Sequence, residues 1–594
     1  MLRMPPATRA RRRRRWSHPR SIASMHDLVI RGGTVVDGSG EPARVADVAI
    51  EGDRIVAVGS EVGAGEREID ATGLLVTPGW VDIHTHYDAQ ATWDPYLTPS
   101  GFHGVTTVVM GNCGVGFAPV AEERRDWLIG LMEGVEDIPG AAMSDGIEWE
   151  WESFEDYLDA LDRRDFVCDV GAQIPHGALR TYVMGERGAD NEPATPDDIE
   201  RMTELVASAL RAGALGFSTS RTPIHKSVDG ELVPGTNAAD DEILGIGRAI
   251  AEVGHGVFEY SPDHVKVGDE FGWMRELAAL TGQPVSFNLN QPDTDPDYWK
   301  TSIRLLEEAA ADGLPIYSQV AGRAIGILFA FDLTLHPFLF KPAWGELALL
   351  DPTERRAKAL TPEYRDRFLS EDPIDLGGDF ARFVTTTWEK MFPFRGDRSY
   401  EPGYEESVAG IAEATGRRPE EVAYDALAED GGTGMLYFPL FNYAYGDLEL
   451  TRELQQHPQT RMGLSDGGAH CGAVCDGGMP TFMLSYWTRD RTKGEGTLPL
   501  EFVVRRQTRE TAELYGLRDR GLLAPGMRAD VNVIDYEALG VDDPKIVHDL
   551  PSGARRLLQH AHGYRHTICA GVETVTDDEF TGALPGTLLR GPTS

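Results

Sequence analysis

The sequence predicts an α/β protein: a distorted (β/α)8 barrel of the TIM type, with a small β-sandwich built from both ends of the chain. Three observations lead there. Short strands broken by Gly and Asp-Gly turns crowd both ends, strands alternate with helices between them, and 594 residues exceed what one small module needs.

Residues 1–24 hold eight arginines, five of them consecutive from Arg11 to Arg15, and no acid. They read as a disordered basic leader ahead of a folded chain starting at Met25; the segment after the arginines lacks the apolar stretch of an export signal. From His26 the text is hairpin grammar, with strands at Asp27–Arg31, Gly33–Asp37, Val45–Ile50 and Arg54–Val58. Strands at Asp530–Asp535 and Thr567–Val572, after a Pro525-Gly526 turn, answer them at the far end. Residues 25–77 and 522–594 are therefore assigned to the sandwich and 78–521 to the barrel.

The barrel strands fall near 80–86, 104–112, 167–175, 214–220, 256–260, 284–290, 314–320 and 460–466, a count of eight. A helix over 195–212 is the clearest: Thr195 caps it, Pro196 opens it, Asp197 and Asp198 complement its dipole, and Gly213 stops it. The gap from 321 to 459 is too long for a connection. It holds helices near 404–417 and 418–429 and the aromatic run Tyr437–Tyr445, and reads as an insertion over the barrel mouth, either a lid or a homo-oligomer contact.

A net charge of −39 argues against nucleic acid or an anionic membrane as partner, since phosphate binding needs clustered positive charge. No apolar run approaches the roughly 20 residues of a membrane span. Five cysteines make no disulfide framework, and the odd count favours reduced thiols in a cytoplasm.

The chemistry concentrates at strand ends. In Pro78-Gly-Trp-Val-Asp-Ile-His-Thr-His86, His84 and His86 lie two apart at the end of the first barrel strand, so both imidazoles point to one face and suit one divalent metal. Cys113, in the Gly111-Asn-Cys-Gly114 turn ending strand two, offers a thiolate ligand that a metal would keep deprotonated. Asp466, in Ser465-Asp-Gly-Gly-Ala-His470 on the eighth strand, suits both metal ligation and proton transfer. His470 is a candidate contact to substrate. So are His176 and Arg180 after strand three, Asn288 and Asn290 on strand six, and Gln319 and Arg323 after strand seven. Arg180 would either pair bidentately with a substrate carboxylate or salt-bridge a neighbouring acid, and Arg323 is open to the same two readings. His336, in the insertion, reads as structural.

These residues, with the closing Ala524-Pro-Gly-Met-Arg-Ala-Asp530, resemble the amidohydrolase superfamily and, within it, the N-acyl-D-amino-acid deacylases (D-aminoacylases) over roughly 26–590. The resemblance implies the barrel and terminal sandwich, zinc, and hydrolysis of a linear amide by metal-activated water. It matches His84 and His86 to the family's histidine pair, Cys113 to its cysteine ligand and Asp466 to its catalytic aspartate. The chain departs from the family at strands five and six, which end Val257-Phe-Glu-Tyr260 and Val285-Ser-Phe-Asn-Leu-Asn290 without the metal-binding histidines. His255 and His264 only flank strand five.

The simplest expectation is then one zinc held by His84, His86 and Asp466 and completed by Cys113 or water. Glu259 is a replacement ligand if there are two. The expected activity is cleavage of an N-acyl-D-amino acid to a carboxylate and an amine. Two rivals stand beside it: hydrolysis of a cyclic amide or another C–N bond, against which the lack of a bridging lysine at a strand tip counts, and a metal-poor scaffold without catalysis.

Overall fold

The computed structural model describes residues 25–374, 378–394 and 399–593; the basic leader lies outside them. The N-terminal segment forms β1 (His26–Val35), β2 (Arg44–Glu51), β3 (Arg54–Gly59), β4 (Gly65–Asp70) and β5 (Leu75–Pro78). The two strands expected over 27–37 are one, bent by a bulge between Ile30 and Gly33. Glycine is required at that bend, because a Cβ on Gly33 would lie 2.4 Å from Val76 Cγ2.

The chain passes directly from β5 into the barrel strands β6 (Trp80–Asp82), β7 (Val105–Met110), β8 (Asp169–Pro175), β9 (Gly216–Ser220), β10 (Val257–Ser261), β11 (Val285–Asn288) and β12 (Ile316–Val320). Helices cover the outside, among them α1 (Arg125–Glu136) and α2 (Pro196–Ala212). In α2 the cap is more than the sequence promised: Thr195 accepts from the Asp198 amide while the Asp198 carboxylate accepts from the Thr195 amide, a full capping box. Ile199, Met202, Val206 and Leu210 form its buried face.

Residues 321–459 carry β13 (Ile325–Phe329), β14 (Phe392–Phe394) and β15 (Met435–Phe441), a small antiparallel sheet in the order β13-β15-β14. The aromatic run thus begins as a strand. Of the two expected helices, one shortens to Val408–Thr415 behind a single tight turn and the other spans Pro419–Gly432 with a break in its backbone at Glu429, Asp430 and Gly431. This segment has its own core around Phe331, Phe338, Trp344, Phe368 and Tyr424, and His336 packs edge-on to Trp344 with ring centroids 4.1 Å apart.

β16 (Thr460–Met462) completes an all-parallel sheet of eight strands in the order β16-β12-β11-β10-β9-β8-β7-β6. The seam between first and last strands is closed beyond their regular ends. Thr85 bridges Gly467, the Asp466 amide donates to the His84 carbonyl at 3.1 Å, and the His86 amide to the Gly467 carbonyl at 2.8 Å. Barrel closure itself therefore puts the two histidines beside the aspartate.

The C-terminal segment adds β17 (Val531–Ile534), β18 (Tyr564–Cys569), β19 (Val572–Thr576) and β20 (Glu579–Phe580). With β1 to β5 they make one separate nine-stranded sheet from both ends of the chain, joined where β17 pairs with β5. Thr567–Val572, expected as one strand, is a hairpin, because Ala570 and Gly571 turn through positive φ values of 51° and 76°. No helix among the described residues is long and apolar enough to cross a membrane.

Candidate metal centre

β6 stops at Asp82, but the chain runs on extended, so Ile83 and Thr85 face away while His84 and His86 face the barrel mouth. Ser465 donates to the Asp82 carboxylate at 2.5 Å and fixes the loop that presents Asp466. Cys113 sits at φ 56° between Gly111 and Gly114, whose missing side chains let the turn press on β8 and β9: a Cβ there would lie 2.3 Å from the Gln173 carbonyl and 2.7 Å from the Ser220 amide. The Asn112 amide holds the turn by donating to the Thr85 and Val109 carbonyls.

These elements converge. One donor atom each from His84, His86 and Cys113 all lie within 4.8 Å of one another, and all three residues are buried. Cys113 Sγ is 3.4 Å from His84 Nε2, and Asp466 Oδ1 is 3.4 Å from the same nitrogen and 3.7 Å from His86 Nε2. Asn288 Nδ2 donates to Cys113 Sγ at 3.6 Å, and Glu259 Oε2 accepts from the Cys113 amide at 2.9 Å. Buried polar atoms without a hydrogen-bond partner cluster here: His86 Nδ1, Glu259 Oε1 and Asn288 Oδ1.

Burial lowers the His84 pKa to about 4, which keeps the imidazole neutral. Burial opposes protonation of His86 too, but Glu136 and Asp466 outweigh it and raise its pKa to about 9. Asp466 is held well below the carboxylate range; its burial is overcome by the His86 hydrogen bond and the charges of His84 and His470. The Cys113 thiol is pushed up by burial and then by Glu259, Glu136 and Asp466. A buried sulfur among carboxylates becomes a thiolate only with a cation beside it.

Glu136 escaped the sequence reading. It ends α1, is 1% exposed, and reaches His86 Nδ1 with Oε1 and His470 Nε2 with Oε2, both at 3.5 Å. Its carbonyl also accepts from the His470 amide. The available signal was an acid on the buried stripe of a helix, beside Leu128, Met132 and Val135.

The other candidate contacts divide. His470, Asn288 and Asn290 line a cavity of about 460 Å³ over the histidines, joined by His225 and His264 and by Ile325, Ile327, Leu440 and Phe441 from the 321–459 segment. Gln319 does not line it; its Oε1 accepts from His84 Nδ1 at 2.8 Å, so it orients the imidazole. Arg323 turns away as well, pairing with Asp476 at 2.8 Å and stacking 3.6 Å from the Tyr400 ring centroid. His176 and Arg180 are correspondingly withdrawn, sharing the buried Glu242 at 2.9 and 2.8 Å, with further Arg180 hydrogen bonds to the Gly188 and Glu192 carbonyls. The two arginines and His176 answer acids of the chain rather than a substrate. His255 lies outside the cavity lining, and Glu259 sits behind Cys113.

That withdrawn pair gives a stability prediction. Burial would raise the Glu242 pKa, but hydrogen bonds from His176 and Arg180 outweigh it and hold the carboxyl at about 2, below its ordinary 4.5. A depressed folded-state pKa stabilises above the unfolded value, and that contribution fades as pH falls from 4.5 towards 2. Glu242→Gln strands Arg180 and is expected to cost about 3–5 kcal/mol at pH 7. Denaturant unfolding should show the gap to the unsubstituted protein closing below pH 4.5.

The amidohydrolase family model matches residues 67–575. The chain belongs to the amidohydrolase family. Among curated relatives of this amidohydrolase, a D-aminoacylase of Alcaligenes xylosoxydans xylosoxydans is 27% identical, over 95% of this chain and 97% of its own. An N-acyl-D-aspartate deacylase of the same organism is 28% identical over 95% of each chain, and its N-acyl-D-glutamate deacylase is 29% identical over 86% and 88%. A solved D-aminoacylase, described as having a binuclear metal centre, superposes with a TM-score of 0.65 at 23% identity, over 95% of this chain and all of that one. The N-acyl-D-glutamate deacylase of Bordetella bronchiseptica, solved with zinc and a phosphonate inhibitor, gives 0.62 at 22% identity, over 96% of this chain and all of its own. Both structures share the fold.

Proposed function

We propose that the chain hydrolyses N-acyl-D-amino acids to a carboxylate and an amine, with one zinc held by His84, His86, Cys113 and Asp466. The observation that carries this is the buried cluster of two imidazoles and a thiol, with the Asp466 carboxylate beside it, at the mouth of the barrel. The donor set fits the metal: imidazole nitrogens, a sulfur and a carboxylate oxygen are the ligand types zinc takes, and the thiol's surroundings call for positive charge. Bound there, zinc supplies Lewis acidity that polarises the acyl carbonyl and makes a water more acidic.

The chain's own groups do the rest. Gln319 takes the Nδ1 proton of His84 as an acceptor and leaves Nε2 facing Cys113 and Asp466. Asp466, ionised throughout the neutral range, accepts a proton from water and returns it to the leaving nitrogen. Glu136 holds His470 at the cavity wall, where the imidazole meets the substrate. Asn288, at the end of a strand that carries no histidine, donates an N–H to the sulfur, which supports one ion over two. The five cysteines are unpaired and buried, which supports a reducing, cytoplasmic setting.

The test is hydrolysis of matched N-acyl-D- and N-acyl-L-amino acids and a hydantoin by the zinc-loaded protein. Turnover confined to the D series is expected. Hydrolysis of the hydantoin alone would transfer the reading to cyclic amides, and no turnover of any of them would favour a scaffold.

A further inference from the structure

The cavity over the histidines does not end at its own wall. A second one of about 490 Å³ adjoins it, sharing Pro223, Ile224, His264, Phe380, Leu440 and Phe441 and adding Val265 and Phe383. Two of the shared residues are among the few large apolar side chains left in the open: Ile224, on the loop after β9, and Phe380, from the 321–459 segment, are each 52% exposed. Apolar groups exposed from both walls of one opening mark a surface that a ligand covers.

The two chambers differ in charge. Lys226 lines the inner one only. The outer arm has no lysine or arginine in its lining; its charged groups are Asp263, Asp293 and Asp379, whose partners Lys266, Lys390 and Arg382 lie outside it. An N-acyl amino acid has the same asymmetry, with a carboxylate on one side of the scissile amide and an uncharged acyl group on the other. The carboxylate half belongs with Lys226 and the acyl half with the phenylalanines.

We infer that the outer arm is an acyl-chain subsite, and that this amidohydrolase favours substrates with a long, unbranched apolar acyl group over acetyl derivatives. The hydrolytic part of this inference rests on the deacylase reading above; the subsite itself does not. An alkyl chain passing from the inner chamber would run between Ile224 and Phe380 to Phe383. Each methylene moved out of water into the arm should tighten binding about fourfold until the arm is filled.

The experiment measures calorimetric Kd values of the zinc-loaded protein for butanoate, octanoate and dodecanoate, with kcat/KM for N-acetyl-, N-octanoyl- and N-dodecanoyl-D-leucine. Phe380→Asp and Ile224→Asp, both at exposed positions, are run in parallel. Tighter binding of octanoate than butanoate, with the gain flattened in both variants, is expected. Affinity independent of chain length, or a gain that survives both substitutions, would overturn the subsite. Hydrolysis of the D-leucine derivatives with a kcat/KM that does not rise from acetyl to octanoyl would also overturn it. Chain-length-dependent binding with none of the D-leucine derivatives hydrolysed would keep the arm and remove the deacylase reading.

Discussion

Asp466→Asn is expected to lower kcat of the zinc-saturated protein by about 10³-fold while the fold remains. Asparagine keeps the shape and one oxygen, but it cannot take a proton from water or return one to a leaving amine. The choice of asparagine follows from the backbone. Asp466 sits at φ 50°, and asparagine is one of few residues that occupy this left-handed region readily, whereas alanine would add strain to the chemical loss. The amide hydrogen bond from Asp466 to the His84 carbonyl, which helps close the barrel seam, is untouched. Steady-state kinetics, circular dichroism and metal analysis of the same preparation check the prediction. Activity within a few-fold of the parent would mean that another group moves the proton.

Cys113→Ser has the second large expected effect, on metal rather than on chemistry. Replacing even an outer partner of a metal ligand costs about 10–100-fold in affinity, so losing a ligand should cost more than about 100-fold. Serine fits the turn and keeps the amide hydrogen bond to Glu259, so the protein should fold. The Asn288 amide, which now meets sulfur at 3.6 Å, would find a smaller oxygen set further back. Competition with a chromophoric chelator measures the loss. Unchanged zinc affinity would remove Cys113 from the ligand set.

Much of the frame was legible because its signals are local. The barrel strands announce themselves by apolar runs ending in turns, and His84, His86, Cys113 and Asp466 each stand at such an end beside glycines or a turn. The structure brings all four together because the parallel order of the sheet puts those ends at one mouth. What was not legible depends on partners far away in the chain. Arg180 and Arg323 look like carboxylate binders until Glu242, 62 residues on, and Asp476, 153 residues on, are folded against them. Gln319 looked like a substrate contact because its distance to His84 is set by barrel closure, 235 residues apart in sequence. Glu136 was missed for the opposite reason. It belongs to a helix end, where an acid is ordinarily solvated, and only packing under His470 and His86 makes it special. The register of the terminal sheet was likewise beyond local reading, since the Ala570-Gly571 turn interrupts what pattern alone presents as one strand.

The most direct test of the account is zinc content per chain after saturation and removal of free metal, determined by elemental analysis against protein concentration. One zinc is expected, because Asn288 donates an N–H to the Cys113 sulfur and no histidine stands at the end of that strand. Two tightly held ions would contradict it and place Glu259 in a second site; none would contradict the metal centre altogether.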